Sequence, residues 1–291
     1  MNRRKMYMTK RMAAPLAAAL FTALAGCASG PAPDDRLNAT LWMQQAVEYK
    51  AATDGVYALA SIRLTEALAD PAWTAVPEVQ SGDFSALPPA IILDADETVL
   101  DNSAYQARLI KTGDSYSSES WNAFAHAAVS GAVPGAVAFT QAAAASGVKV
   151  FYVTNRDAIT EEATAKNLAA LGFPLNGMGG GNVDTLMTRG EQPDWTSRKG
   201  TRRAAVAKDY RVLLLLGDNF GDFTDDYNGS PEERRAVYEA HSAHWGRDWL
   251  MLPNPAYGSW EAAAFGGDYT LSEEEKRRRK INRLTGWTLD E

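Results

Sequence analysis

The sequence predicts an α/β fold built on a doubly wound parallel sheet, and three observations carry that prediction. Three short apolar runs punctuate the chain: "AIIL" ending at Leu93, "VKVFYV" ending at Val153 and "RVLLLL" ending at Leu216. Each is aliphatic or β-branched on consecutive positions, as strands buried on both faces are. Helically patterned segments lie between them, from about Gly135 to Ser146 and from about Thr160 to Leu171, each halted by a glycine, Gly147 and Gly172. Alternating strand and helix implies right-handed crossovers and a parallel sheet. Finally, every run ends in a polar cluster: "DADET", then "TNRD", then "GDNFGD". Ligands of open α/β sheets bind outside the carboxyl ends of the strands, so the three clusters are expected to converge.

The elements follow in chain order. "MNRRKMYMTKRM" is basic, "AAPLAAALFTALAG" is small and apolar, and Cys27 follows. A charged segment, a short apolar core and small residues before a cut site read as a secretory signal over residues 1–26. The apolar run is too short to span a bilayer comfortably. "LAGC" resembles the bacterial lipoprotein cleavage box, which implies lipidation of Cys27, and Ala28 after it leans towards the outer membrane. Cys27 is the only cysteine, so the exported chain forms no internal disulfide. "ASGPAPDD" makes residues 27–36 a flexible tether.

From Leu37 to Ala69 apolar residues recur at helical spacings, with Gly55 a candidate break between two helices. The chain of 291 residues, 46% hydrophobic, supplies an ordinary core, and residues 37–291 are expected to form a single domain. Residues 1–26 hold five basic residues and no acid, so their removal takes the formal charge from −7 to −12. Such an acidic protein is a poor nucleic-acid binder, leaving the lipid as the only membrane contact.

The chemistry centres on Asp94, Asp96, Glu97 and Asp101 in "AIILDADETVLDNSAY". Carboxylates packed this tightly behind an apolar strand repel and desolvate one another unless a cation or a chemical task compensates. A calcium loop fails, because its sixth and twelfth positions here are Val99 and Tyr105. His241 and His244 lack a third metal ligand nearby and read as part of a partly exposed helix. No Arg-His-Gly stretch and no Gly-x-Ser-x-Gly elbow is present. "SEEEKRRRK" reads as a solvated helix, with Ser272 and Glu275 in a capping-box pattern and Glu273–Arg277, Glu274–Arg278 and Glu275–Arg279 as i,i+4 pairs.

Asp94-x-Asp96-x-Thr98 after one strand, Thr154-Asn155 after the next, Lys199, and then "GDNFGDF" resemble the four motifs of the haloacid-dehalogenase-like (HAD) phosphatases. More narrowly, "DADETVLDNSAY", "GDNFGDF", "WMQQAVEYKA", "AVPGAVAF", "VFYVTNRD" and "MLPNPAYGSWE" resemble the class C acid phosphatases, the lipoprotein e(P4) family. Ala95 departs from the bulkier aliphatic usual there. The resemblance implies a HAD-like Rossmannoid sheet with N-terminal helices and a small, mostly helical cap at about 102–134. It implies Asp94 as nucleophile forming an aspartyl-phosphate, and Asp96 as general acid and then base, protonated at the start. Mg²⁺ would be held by Asp94, Asp96 through its carbonyl, and Asp218, with Asp222 ligating it or orienting its waters. Thr154, Asn155 and Lys199 would bind the phosphate. Trp121 and Tyr257 match positions that stack a nucleobase. The implied substrates are 5′-nucleotides and related small monoesters. Two alternatives stand beside this reading: a broad acid phosphatase without nucleotide preference, and a non-catalytic surface protein on the same fold.

Overall fold

The structure is a computed structural model that describes residues 34–175 and 184–287. The expected signal segment, Cys27 and the tether up to residue 33 lie outside the described residues.

The chain begins with helices α1 (Leu37–Gln45) and α2 (Val47–Ala69). They part at Ala46, which takes an extended conformation, and Gly55 sits inside α2. The expectation of a break at Gly55 is thereby corrected. A mid-helix glycine costs only about 1 kcal/mol relative to alanine, and the buried face of α2 (Tyr49, Thr53, Tyr57, Ala60, Leu64 and Ala67) holds the helix through it.

Strand β1 (Pro89–Leu93) follows, then a small excursion: β2 (Leu100–Asp101), α3 (Ser103–Thr112), α4 (Ser118–Ala127) and β3 (Gly131–Ala132). β2 and β3 pair as an antiparallel ribbon that closes it. Helix α5 (Ala136–Ala145), β4 (Lys149–Asp157), α6 (Glu161–Leu171), β5 (Leu186–Arg189), α7 (Gly200–Asp209) and β6 (Arg211–Gly217) complete the alternating part. The chain ends through α8 (Pro231–Ala240), β7 (Trp249–Met251), α9 (Ser259–Phe265) and α10 (Glu273–Asn282). Gly147 and Gly172 adopt the positive φ expected of residues that stop α5 and α6.

The main sheet is parallel, in the order β5-β4-β1-β6-β7. The chain moves outward from β1 in one direction through β4 and in the other through β6. β1 is therefore the switch point at which a ligand crevice forms. Side chains alternate across the sheet. Ile91, Leu93, Val150 and Tyr152 pack under α2, α5 and α6, and Ala90, Ile92, Phe151 and Val153 face Val206 and Ala207 of α7. A bulge opposite Ala90–Ile91 leaves Leu213 unmatched, so Leu213 and Leu214 both join the first cluster. Every residue of β6 is buried, which explains its unbroken apolar run.

Two local expectations change. β4 runs through "TNRD" to Asp157 instead of ending at Val153. α8 stops at Ala240, so His241 and His244 lie in the turns beyond it, their rings 4.8 and 4.6 Å from that of Trp249. In α10, Ser272 caps Glu275 N–H and Glu275–Arg279 pairs as expected. Glu273 instead pairs with Lys276, Arg278 with Glu275, and Arg277 reaches back to Asp35.

Candidate active site

Asp94 is the first residue past β1, and its N–H donates to the Leu216 carbonyl of β6 at 2.9 Å. That bond continues the ladder and sets Asp94 beside the end of β6, where Gly217 leads into Asp218. A tight loop then turns the chain: the N–H groups of Val99 and Leu100 both donate to the Ala95 carbonyl, at 2.9 and 2.8 Å. Ala95 is fully buried and leaves the loop room to fold down on the sheet. At its apex Glu97 takes φ 53°, an uncommon conformation for a residue with a side chain.

Asp218 accepts from Thr98 Oγ1 at 3.4 Å and from Asn254 Nδ2 at 2.8 Å. Asp222 ends a short 3₁₀ turn, Phe220–Asp222, with its Oδ2 accepting the Asn219 N–H at 2.9 Å. Gly217 makes this possible, because a Cβ there would lie 2.3–2.6 Å from Asp222. Carboxylate oxygens of Asp94, Asp218 and Asp222 all fall within 4.8 Å of one another. Lys199, the residue before α7, is buried and donates to Asp94 Oδ1 and, at 2.7 Å, to Asp222 Oδ1.

Three carboxylates crowd together, and one buried lysine pairs with two of them. Burial pushes Asp94 up to about 7, with Asp222 and Asp96 adding and Lys199 opposing. Burial, then Asp222 and Asp94, drive Asp218 well above the ordinary carboxylate range. Burial pulls Lys199 down, but Asp222 and Asp94 outweigh it and its ammonium is held above the usual value. The cluster carries more negative charge than its one lysine compensates, and it offers the hard oxygen ligands a divalent cation takes. The residues fit a metal.

Thr154, buried within β4, accepts from the Arg156 N–H through Oγ1 at 3.1 Å. The Asn155 amide is occupied. Its Nδ2 donates to the Ser197 carbonyl at 2.9 Å and its Oδ1 accepts from Arg202 at 2.7 Å. Arg202 also reaches the carbonyls of Thr154 and Thr196. The Asn155 side chain thus ties β4 to the loop preceding Lys199, which leaves its backbone for any anion. Arg202 itself is pushed down to about 10, chiefly by burial.

Asp96 points the other way from this cluster's lysine. Its Oδ1 accepts from Arg156 Nε at 2.9 Å and from Asn102 Nδ2 at 2.8 Å. Glu97 is fully buried, accepts the Asn102 N–H at 2.9 Å and receives the Tyr257 hydroxyl. Burial raises Glu97 well above the ordinary range, with Asp96 and Asp218 contributing. Asp101 instead accepts the N–H of Ser103 at 2.8 Å, at the start of α3. Trp121 of α4 packs edge-on to Tyr105 at 5.1 Å, beside Tyr116 and Phe124, with the Arg156 guanidinium 5.5 Å from its ring centre. Among the described residues Tyr257 is not one of its ring partners; a chain of contacts through Arg156, Asp96, Asn102 and Glu97 joins the two.

Arg156, Asn102 and Asn254 were not among the residues the sequence singled out, and Glu97 was marked only as one of the crowded carboxylates, without a role. Arg156 sits inside "TNRD" and Asn102 inside "DADETVLDN", and only their proximity to a motif could have marked them. Asn254 lies 36 residues from Asp218 and was marked only by its place in "MLPNPAYGSWE".

This fold and site define a phosphoric monoester hydrolase with a HAD-type sheet. Residues 33–260 match HAD superfamily, subfamily IIIB (acid phosphatase), and the chain belongs to that family. It is similar to the class C acid phosphatase from Bacillus anthracis, with 31% identity over 87% of this chain and 98% of that one and a TM-score of 0.75. A second structure of the Bacillus anthracis enzyme, with tungstate bound, matches at 30% identity over the same shares with a TM-score of 0.73.

Proposed function

We propose that this acid phosphatase is Mg²⁺-dependent, works through an aspartyl-phosphate on Asp94, prefers 5′-nucleotides, and is exported and lipid-anchored at Cys27. One observation carries the catalytic part: Asp94 and Asp222 share the buried Lys199 while Asp218 completes a carboxylate cluster with them at the carboxyl ends of β1 and β6. The tungstate bound by the Bacillus anthracis relative, an oxyanion like phosphate, supports a phosphate-binding reading of this fold.

In the first step a carboxylate oxygen of Asp94 bonds to phosphorus while the bond from phosphorus to the ester oxygen breaks. Asp96 passes its proton to the departing oxygen. In the second step water attacks phosphorus, Asp96 takes the water's proton, and Asp94 leaves as a carboxylate with release of inorganic phosphate. Lys199, the Thr154 hydroxyl and the backbone at Asn155 hold the phosphate oxygens in line. Asp94, the Asp96 carbonyl and Asp218 would hold Mg²⁺, with Asp222 ligating it or orienting its waters, and the ion would supply charge neutralisation at the phosphoryl oxygens. Tyr257 joins the hydrogen-bonded network around Asp96 through Glu97, the Arg156 guanidinium of that network faces the Trp121 ring, and a ring on the leaving alcohol would meet both there. The packing of Trp121 among Tyr105, Tyr116 and Phe124 favours a second reading, a broad phosphatase in which that ring serves the helical excursion.

The test is a panel of nucleoside monophosphates and small aliphatic phosphates, assayed after EDTA and after restoring Mg²⁺. Activity lost to EDTA, restored by Mg²⁺ and highest on nucleotides is the expected result. Full activity after EDTA overturns the metal dependence, and equal rates across the panel overturn the preference. Labelling with palmitate in a bacterial host tests the anchor: label on the wild type and none on Cys27→Ser is expected, and an unlabelled wild type refutes it.

A further inference from the structure

Arg156 is a fully buried cation that the mechanism above leaves without a task. Its Nε donates to Asp96 Oδ1 at 2.9 Å, and Nη2 makes an ion-pair contact with the same oxygen at 2.8 Å. Nη2 also donates to Asn102 Oδ1 at 3.1 Å, and Nη1 to Thr164 Oγ1 at 3.2 Å. Asn102, equally buried, faces it with the same economy. Its Nδ2 donates to Asp96 Oδ1 at 2.8 Å and to Glu97 Oε2 at 3.3 Å, and its Oδ1 accepts from Ser130 Oγ at 2.6 Å. The bonds donated by Ser130 and Arg156 together fix the amide's orientation, because its carbonyl must face both donors.

Two N–H donors and the charge of the Arg156 guanidinium therefore converge on Asp96 Oδ1. An oxygen so saturated has no room for a proton of its own. Among the described residues Oδ2 has no partner. We infer that Arg156 and Asn102 are positioning residues that lock the Asp96 carboxyl by Oδ1 and reserve Oδ2 as the atom that gives a proton to the leaving group and later takes one from water. The inference rests on the reading of Asp96 as general acid. The guanidinium adds a second effect, since its charge stabilises the carboxylate that proton donation leaves behind. Placement matters because proton transfer requires hydrogen-bond reach and a defined direction, and an unrestrained carboxyl would spend much of its time with the wrong oxygen forward.

A positioning role differs from a merely structural one in its dependence on the leaving group. Phenyl phosphate and para-nitrophenyl phosphate share a ring, so aromatic contacts in the pocket cancel between them. The nitrophenolate departs without a proton, whereas phenolate needs one far more. The measurement is the ratio of kcat/KM for phenyl over para-nitrophenyl phosphate in the wild type, Arg156→Lys, Asn102→Ala and Asp96→Asn. Arg156→Lys keeps the charge and loses the fork. The ratio does not depend on how much of each preparation is folded, so a partly unfolded variant still answers.

General acids contribute about 10²–10⁴ to such rates, and we expect the ratio to fall about tenfold or more in Arg156→Lys and Asn102→Ala, mainly through kcat, and furthest in Asp96→Asn. Equal losses on both esters in the first two variants, with the ratio still collapsing in Asp96→Asn, overturn the inference and leave Asp96 in its role. An unchanged ratio in Asp96→Asn overturns both.

Discussion

Gly217→Ala puts one methyl group where the site has no space for it. The added Cβ would lie 2.3 Å from Asp222 Oδ2, 2.4 Å from its Cβ and 2.6 Å from its Cγ. Asp222 cannot retreat cheaply, because Oδ1 is held by Lys199 at 2.7 Å and Oδ2 by the Asn219 N–H at 2.9 Å. Nor can Gly217 withdraw, since its carbonyl accepts the Leu252 N–H at 2.7 Å and the residue is paired within the sheet. Each hydrogen bond to a charged group contributes about 1.5–3 kcal/mol, and relaxation recovers part of what two would cost, so we expect a loss of about 2–4 kcal/mol. Against a total of about 5–15 kcal/mol for a typical domain, that is readily measured as a lower urea midpoint at unchanged slope. Turnover should suffer more than stability, because displacing Asp222 moves Lys199 as well, and a shift of about 1 Å in such a site costs about 10²-fold. Stability within about 0.5 kcal/mol of wild type, together with wild-type turnover, would refute this account of the strand end.

Burial raises Asp94 to about 7 in the metal-free protein, above its unfolded value of about 3.9. Between those values the native state holds the extra proton, so this contribution to stability is present below about pH 4 and lost as pH rises through about 7. Glu191, also raised to about 7, chiefly by burial, acts with the same sign. Denaturant titrations of the EDTA-treated protein should therefore show stability falling over this range, with a shallower fall in Asp94→Asn; parallel slopes would contradict the assignment. Trp121→Ala and Tyr257→Ala should weaken nucleotide hydrolysis mainly through KM, by about five- to 150-fold, the equivalent of the about 1–3 kcal/mol a stacked base contributes. A small aliphatic phosphate should change little in either variant, and equal losses on both substrates would assign these rings to the fold.

β1, β4 and β6 were legible because strands covered on both faces need apolar residues at every position. β5 and β7 were not: "LMTR" and "WLM" are edge strands too short to show any period. Gly55 misled for a physical reason, since local propensity is a weak prior that the buried face of α2 overrides. At the site, the strand rule anticipated that "DADET" and "GDNFGD" would meet, and the carboxylates of Asp94, Asp218 and Asp222 do lie together. The residues that orient them stayed hidden. Arg156 is separated from Asp96 by 60 residues, and nothing in "TNRD" says which acid its guanidinium will find. Asn155 shows the converse, for a conspicuous motif position proves to spend its side chain on Ser197 and Arg202.

The central claim is that Asp94 takes the phosphoryl group. Asp96→Asn should allow the first step with para-nitrophenyl phosphate, whose leaving group needs no acid, and stall the second, which needs a base. Rapid mixing of this variant with Mg²⁺ and excess para-nitrophenyl phosphate, followed by acid quench and peptide mass analysis, reads both steps at once. The account predicts a burst of about one nitrophenolate per chain and one phosphoryl group on the peptide carrying Asp94. Steady nitrophenolate release with no burst and no phosphorylated peptide, or a phosphoryl group on any other residue, would contradict it.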